Sequence, residues 1–355
     1  MVIHLGNLRR VEVDEANLRV AYEGGCLWSD VDGALAARGL VIDNLVSLQM
    51  VLADGSVVEA SETQHPDLFW AMRGAGSMFG VVTRFVSRAH RQGDVWSGTL
   101  VFAPDKLGQL VAVTNDLHSR DDLEGHCLAL SIGYGPDGTT RALTVVPLFH
   151  GPEAEARDYL AGLLRVEAAG SDVRMMTVAR LNGLNAKFEH GLRRLMGSCN
   201  VTMPLSAAGL QETADMLWSF CDGHGGMGTS AAIVEFFPTR KLREVPQDGT
   251  AHANRGDHYD AALSFGWADP ALDDEVRQLG RRVREQIVRT TGHGASGGGG
   301  GGGDGKAGPA GRYVNMEAEP VRPEEAYGDN VERLRGPKAR WDADNVFHSW
   351  FGVAG

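Results

Sequence analysis

The sequence predicts an α+β protein with two domains, and three observations support this fold class. Residues Leu48 to Phe85 combine a β-hairpin signal, a short helix and a glycine loop that leads into another strand. From about Arg91 as far as residue 296, apolar patterns typical of helices and strands alternate. The chain of 355 residues can bury a large core, and this length is typical of two domains or of one domain with an insertion.

The first segment contains two turn signals. An apolar run ends at Asp54-Gly55, a dipeptide that suits the positive φ of a two-residue hairpin. Pro66 then suits the first turn of a helix, which ends at Gly74-Ala75-Gly76. A dinucleotide fingerprint needs strand, glycines and helix in that order, and the order here is reversed. Two interpretations stay open: a tight turn before a buried strand, or backbone that lies flat against a planar ligand or a phosphate.

Apolar periodicity places the remaining elements. Short strands are predicted at Val2-Ile3 and on both sides of a turn at 14–17, and a helix with the stripe Trp28, Val31 and Leu35 ends at Gly39. In the second domain we expect a mixed sheet with helices on one side. Its predicted helices begin near residues 104, 153 and 270, with a further one that carries Leu210, Ala214, Leu217 and Cys221. Its predicted strands lie at 127–132, 143–149, 232–237 and 261–267.

Composition excludes several classes of function. A net charge of −12 argues against binding to nucleic acid or to an anionic membrane surface. No apolar run reaches transmembrane length and no signal peptide is visible, so cytoplasm is the default expectation. Four cysteines lie far apart and His252 and His258 have no metal-ligand spacing, so we expect no metal site. Arg255 is expected to be solvated or paired in a salt bridge, with substrate contact as the alternative.

The segment around the glycine loop contains an ordered series of short motifs, namely Asp43-Asn44-Leu45, Ala53-Asp54-Gly55, His65 to Ala71, Arg73-Gly74, Gly76 and Phe79 to Thr83. This series resembles the motifs of FAD-linked oxidases with a vanillyl-alcohol-oxidase or PCMH-type flavin domain, in particular the berberine-bridge-enzyme-like branch. Ala75, Ser77 and Met78 depart from the family pattern, which usually has two glycines and an asparagine there.

The two chain ends carry the same resemblance. Near the start, Gly24-Gly25, Trp28 and Asp30-Val31 match the flavin domain. The tail resembles Y-x-NY, then YG-x-N-x-x-RL, then K-x-x-YDP-x-NVF, with Met316 and Ala343 as departures. Residues 250–259 more faintly resemble the TAF-x-HRDA-x-Y strand of the substrate domain, with Asn254 in place of the usual histidine.

The resemblance implies a partial FAD-binding PCMH-type domain over 1–92 and a substrate-binding domain with a mixed or antiparallel sheet covered by helices over 93–296. A flexible glycine-rich insert over 297–311 and a berberine-bridge-like tail over 312–355, which returns to the flavin domain, complete the predicted organisation. Both chain ends would therefore form the flavin domain.

The implied function is an FAD-dependent oxidoreductase that transfers hydride from a small organic substrate to the flavin. Molecular oxygen or another electron acceptor would be its second partner. The resemblance implies Tyr313 as the candidate catalytic base or hydrogen-bond partner. The candidate cofactor contacts are Asn44, Gly76, Gly80, Val81, Val82, Tyr313 and Asn315.

Two flavin loops of the family are not matched. An R-x-GGH loop precedes the position of Val2 in the family, and a loop with a covalent cysteine lies between the positions of Leu40 and Asp43. Two alternatives to an active oxidase therefore stay open. The chain is a flavin-free pseudo-enzyme or binding scaffold of the same family, or the sequence is an incomplete gene model of a normal oxidase.

Overall fold

A computed structural model describes residues 2–120, 126–184, 190–291, 313–348 and 352–353. The predicted glycine-rich insert over 297–311 lies outside these residues. Within them the chain forms two β-sheets, and every recorded strand pairing is antiparallel. The α+β prediction is confirmed, and the antiparallel alternative for the second sheet is the one observed.

The first sheet has five strands in the order β1-β2-β5-β3-β4. These strands are β1 (Val11–Asp14), β2 (Arg19–Glu23), β3 (Leu40–Val51), β4 (Val57–Ser61) and β5 (Val81–Arg91). Two helices accompany them, α1 (Trp28–Ala36) and α2 (Pro66–Ala75). The predicted hairpin joins β3 to β4, and Gly55 has the expected positive φ of 85°.

Strand β3 is continuous between Leu40 and Asp43, where the sequence pattern of the family has an additional loop. Leu40 pairs with Arg91 and Val51 pairs with Val81, so β3 and β5 lie side by side over almost their whole length. The register shifts between Ile42 and Leu45, where the strand bulges. The sheet is therefore complete across residues 40–43.

The second sheet has nine strands. Its main path is β10-β7-β9-β8-β13-β14-β12, with β6 between β11 and β9. The strands are β6 (Val95–Ser97), β7 (Leu100–Phe102), β8 (His126–Tyr134), β9 (Arg141–Phe149), β10 (Gly170–Ser171), β11 (Arg174–Met176), β12 (Arg193–Val201), β13 (Ala231–Phe236) and β14 (Tyr259–Trp267).

Helices cover one face of the second sheet, namely α3 (Leu107–His118), α4 (Glu153–Tyr159), α5 (Ala161–Leu164), α7 (Ala207–Asp222) and α9 (Asp273–Thr291). Two further short helices are α6 (Val178–Asn182), which packs against α1, and α8 (Arg240–Glu244). Alternate residues of the strands pack with α3, α7 and α9 in one core, for example Leu130, Val234, Leu263 and Cys199. The other alternate residues therefore form a second face that these helices do not cover.

The tail packs against the first sheet and α2. It contains α10 (Pro323–Tyr327) and α11 (Asn330–Trp341). Tyr327, Val331 and Leu334 share one apolar cluster with Leu68 and Phe69 of α2. The two ends of the chain therefore share one core. This agrees with the prediction that the tail returns to the first domain.

Three local predictions were wrong. Residues Val2 and Ile3 lie in no strand and are exposed. Trp28 is 62% exposed, although the helical stripe predicted a buried ring. Residues 250–258 form no strand, since β14 begins at Tyr259. The sequence prediction also missed β12, whose alternation is interrupted by Gly197 in its middle.

Candidate active site

The uncovered face of the second sheet is polar where β12, β14 and β13 lie side by side. Asn200 of β12 pairs with Asp260 of β14, and Asp260 also pairs with Glu235 of β13. Direct cross-strand partners place their side chains on the same face, with Cβ atoms about 5 Å apart. Their sequence neighbours Val201, Tyr259 and Val234 belong to the helix-side core, so the three polar side chains point away from it.

Asn254 connects two of these strands. Its side-chain nitrogen donates to Asp260 Oδ1 at 3.1 Å, and its oxygen accepts from His258 Nε2 at 2.7 Å and from Asn200 Nδ2 at 3.3 Å. Asn254 and His258 are both buried. The carboxylate of Asp260 therefore has a fixed orientation within a buried hydrogen-bonded network.

Both carboxyl groups on this face favour the protonated form more than usual. Burial raises the pKa of Asp260, although the hydrogen bond from Asn254 opposes the shift. Burial also raises the pKa of Glu235, and the neighbouring charge of Asp260 adds to it. A half-buried carboxyl with a raised pKa is suited to accept a proton near neutral pH.

The tail closes one side of this face at β12. Ser198 Oγ accepts from the Tyr313 backbone N–H at 3.1 Å, and Glu317 Oε1 accepts from the Ser198 backbone N–H and lies 2.9 Å from Ser198 Oγ. The Tyr313 ring meets the His252 ring edge-on, with centroids 6.0 Å apart. Tyr313 is therefore held beside the polar face by its backbone and by the segment that contains Asn254.

The segment around His252 joins the second sheet to α2. The His252 backbone N–H donates to the Arg73 carbonyl at 3.0 Å, and the Ala251 backbone N–H donates to the Trp70 carbonyl at 3.2 Å. Gly74 has φ of 144°, and a Cβ at this position would lie 2.1 Å from the His252 backbone nitrogen. A glycine is therefore required at position 74 by the close approach of the two backbones.

The other predicted cofactor contacts lie in the first sheet. Val81 and Val82 begin β5 opposite Val51 and Met50. A Cβ at Gly80 would lie 2.5 Å from the Val51 carbonyl oxygen, so packing of protein against protein already requires this glycine. Asn44 is exposed near the other end of β3, roughly 20 Å along the strand from Val51. A ligand that contacts both places would have to extend along the sheet.

Gly76 and Asn315 lie in short 3₁₀ turns, at Gly76–Met78 and Val314–Met316. The structure thus brings Tyr313 and Asn315 to the edge of the polar face and leaves Gly80, Val81 and Val82 in the first sheet. The assignment of all seven residues as cofactor contacts stays a prediction.

Sequence reasoning missed the residues that form the polar face, namely Ser198, Asn200, Glu235 and Asp260. One signal was present in the sequence. Glu235 interrupts the apolar run 232–237, and Asp260 directly precedes the apolar run 261–267. Their proximity was not readable, since β13 and β14 are adjacent only through the sheet topology.

An open, mainly apolar cavity lies at the ends of the same strands. Its lining includes Leu117, Phe236 and Tyr259 of the helix-side core, together with Cys127. His118 Nδ1 lies 2.9 Å from the Tyr259 hydroxyl. Burial, and then the nearby Glu235, raise the pKa of Cys127 to about 12.

No group of three or more potential metal ligands occurs within the described ranges. In the same part of the chain, no helix is long and apolar enough to cross a bilayer.

The residues beside the polar face fit the FAD that the resemblance implies. A flavin ring has hydrogen-bonding edges, and the face offers buried amide and carboxyl groups. Its diphosphate is anionic, and the guanidinium Nε atoms of Arg73 and Arg255 are buried at the domain junction without a hydrogen-bond partner among the described residues. When bound, FAD supplies a hydride acceptor.

Comparisons with known proteins agree with this geometry. A model of the berberine and berberine-like family matches residues 312–353. The FAD-linked oxidoreductase pgmH of Aspergillus terreus is 31% identical over 99% of this chain and 78% of its own length.

Solved structures share the fold at low identity. Physcomitrella patens BBE-like 1 has a TM-score of 0.79 and 16% identity, with 98% of this chain and 80% of that chain covered. The 6-hydroxy-D-nicotine oxidase of Arthrobacter nicotinovorans has a TM-score of 0.75 and 21% identity, with the same coverage of both chains. The polar face, the returning tail and these likenesses agree, and the chain belongs to the berberine-bridge-enzyme-like family of FAD-linked oxidoreductases, with FAD as its cofactor.

Proposed function

We propose that this chain oxidises a small organic alcohol by hydride transfer to FAD, with Asp260 as the proton acceptor. The observation that carries the proposal is the Asp260–Glu235 pair on the uncovered sheet face, with raised pKa values. Oxidation of an alcohol to a carbonyl removes a hydride from carbon and a proton from oxygen. Asp260 takes the proton, and molecular oxygen or another acceptor finally receives the electrons.

The surroundings of Asp260 suit it to accept a proton. The hydrogen bond from Asn254 fixes one carboxylate oxygen, which leaves the other free to face a substrate. Burial raises the pKa of Asp260, so a proton that Asp260 accepts is held more firmly, and the charge of Asp260 in turn raises the pKa of its strand neighbour Glu235.

Tyr313 is the second candidate for contact with the reacting atoms. It lies at the edge of the same face, and its backbone is fixed by Ser198. A phenol hydroxyl can hold a substrate oxygen through a hydrogen bond while the carboxylate takes the proton. We therefore assign Tyr313 the role of orienting the substrate.

The first experiment tests cofactor and chemistry together. The full chain is purified, and its absorbance between about 350 and 500 nm is recorded before and after denaturation. The chain is then mixed without oxygen with a panel of benzylic alcohols, aliphatic alcohols and sugars, and loss of the flavin absorbance reports substrate oxidation. A chain that neither contains nor takes up FAD would overturn the proposal.

Two variants then test the roles. Asp260→Asn should keep its FAD content and lower the rate of flavin reduction by about 10² to 10⁴-fold, because the proton acceptor is lost. Tyr313→Phe should raise KM more than it lowers kcat. Asp222→Asn is the matched control, since Asp222 is paired with Tyr134 and Arg141 on the helix side. An Asp260→Asn chain with the wild-type rate and pH profile would exclude Asp260 as the proton acceptor.

A further inference from the structure

Two arginines from different parts of the chain meet at the junction of the two sheets. Arg73 lies near the end of α2, where the backbone leaves helical geometry with φ of −83° and ψ of 61°. Arg255 follows the segment that docks on α2 through the His252–Arg73 backbone hydrogen bond. The close approach at Gly74 holds these two segments together, so both side chains belong to one small region.

Neither guanidinium is neutralised by a nearby carboxylate. The closest acidic partner of Arg73 is Glu62, with 3.9 Å between Nη1 and Oε1, and the Glu62 side chain is 79% exposed. Arg255 donates to the Thr250 hydroxyl at 2.7 Å, and no ion pair of Arg255 occurs within residues 2–120, 126–184, 190–291 and 313–348. A distant exposed pair contributes little, so the region carries a net positive charge.

The inner nitrogen of each guanidinium lacks a hydrogen-bond partner. The Nε atoms of Arg73 and Arg255 are both buried, and among the described residues neither has an acceptor. The planar group of Arg73 lies over the Phe69 ring, with Cζ 4.4 Å from the ring centroid, which fixes its orientation. Buried donors without acceptors are costly, and a ligand with suitable acceptors would remove this cost.

The charges in this region repel one another. Burial lowers the pKa of Arg255, and the charge of Arg73 lowers it further. Burial and then Arg255 lower the pKa of His252, which is therefore neutral at neutral pH. Two arginines and a neutral histidine leave an excess of positive charge that only an anion could balance.

We propose that Arg73 and Arg255 form a binding site for an oxyanion, either a phosphate group or a carboxylate, at the junction of the two sheets. A guanidinium presents parallel N–H donors that match both groups. The oxyanion comes from one of two sources: the diphosphate of FAD, or an acidic group of the substrate. The site does not depend on which bond is oxidised, because its evidence lies in the two arginines alone.

The experiment separates the two sources. The FAD content of the purified full chain and the release of FAD on dialysis are compared for wild type, Arg73→Gln and Arg255→Gln. Calorimetry then measures binding of inorganic pyrophosphate and of benzoate to the FAD-loaded wild-type chain and to each loaded variant. Arg322→Gln is the control, because Arg322 is exposed and pairs with Glu325 at the surface.

If the FAD diphosphate is the ligand, both variants should bind FAD at least about tenfold more weakly, and the loaded wild-type chain should bind neither probe. If the substrate supplies the anion, FAD affinity should stay unchanged, and the loaded wild-type chain should bind benzoate at least about tenfold more tightly than the variants. Both results support the site.

Equal FAD affinity in all chains, together with no difference in binding of either probe, would overturn the proposal. Far-UV circular dichroism of every variant shows whether it has folded. Arg73→Lys and Arg255→Lys serve as conservative variants of the same two positions. Lysine keeps the charge and loses the forked donors, so these two variants should show intermediate affinities. This result would not follow if the arginines only held the fold.

Discussion

Lys338 Nζ lies 2.6 Å from Asp342 Oδ2, and both side chains are almost completely buried. Lys338 also donates to the carbonyl oxygens of Met78 at 2.9 Å and Phe347 at 2.8 Å. Burial alone would raise the pKa of Asp342, but the hydrogen bonds from Lys338 and from the backbone of Phe347 and Val346 outweigh it and lower the pKa. The tail is thereby joined to the turn at Gly76–Met78.

Replacing Lys338 by methionine should destabilise the protein by about 3 to 5 kcal/mol, because it leaves a buried charge on Asp342 and two carbonyls without their donor. Denaturant unfolding followed by circular dichroism measures the change. Lys241→Met is the matched control, since the Lys241–Glu244 pair is exposed and should contribute at most about 1 kcal/mol. Equal stability of the two variants would contradict the role given to Lys338.

Gly74→Ala should separate the segment around His252 from α2. The added Cβ would meet the backbone of His252, and the φ of 144° is strained for alanine. We expect a lower melting temperature and weaker FAD retention. Gly108→Ala in α3 is the control, because nothing lies within 4 Å of its Cβ and alanine favours a helix by roughly 0.5 to 1 kcal/mol. A stable Gly74→Ala chain with full FAD content would show that this close approach is dispensable.

Stability should depend on pH with opposite signs for two groups of carboxyls. Asp260 and Glu235 have folded-state pKa values above their unfolded values near about 4, so the stability tied to them is present below about pH 4 and is lost as the pH rises through the folded pKa. Glu235→Gln should therefore be more stable than wild type at pH 7 and equal to it at low pH.

Asp222 should behave in the opposite way. The hydrogen bond from Tyr134 and the contacts with Arg141 lower its pKa, so its stabilisation is present above about pH 4 and is lost as the pH falls through the folded pKa. Asp222→Asn should be less stable than wild type at pH 7, with the difference vanishing in acid. Unfolding curves between pH 3 and pH 8 would test both signs, and a common sign for the two variants would contradict the assignment.

Cys127 should react slowly with iodoacetamide at pH 8, because its pKa of about 12 leaves very little thiolate. Glu235→Gln removes a negative neighbour and should speed the reaction. Mass spectrometry of the modified peptide locates the label, and Cys127→Ala confirms its position. A rate unaffected by Glu235→Gln would mean that the carboxyl lies too far away to influence the thiol.

The fold class, the family and the cofactor could be read from the amino-acid sequence alone, because these depend on local signals. The hairpin at Asp54-Gly55, the helix after Pro66 and the tail around Tyr313 could each be recognised from neighbouring residues. The return of the tail to the first domain was predicted from sequence motifs alone, and in the structure Tyr327 and Leu334 share an apolar cluster with Leu68.

The composition of the candidate site depends instead on the packing of elements that are distant in sequence. Asn200, Glu235 and Asp260 lie far apart in sequence and become neighbours because β12, β14 and β13 are adjacent in an antiparallel order that no local pattern encodes. The exposure of Trp28 and the meeting of Arg73 with Arg255 were likewise unpredictable. Periodicity reports which side of one element is apolar, whereas packing between distant elements decides what that side contacts.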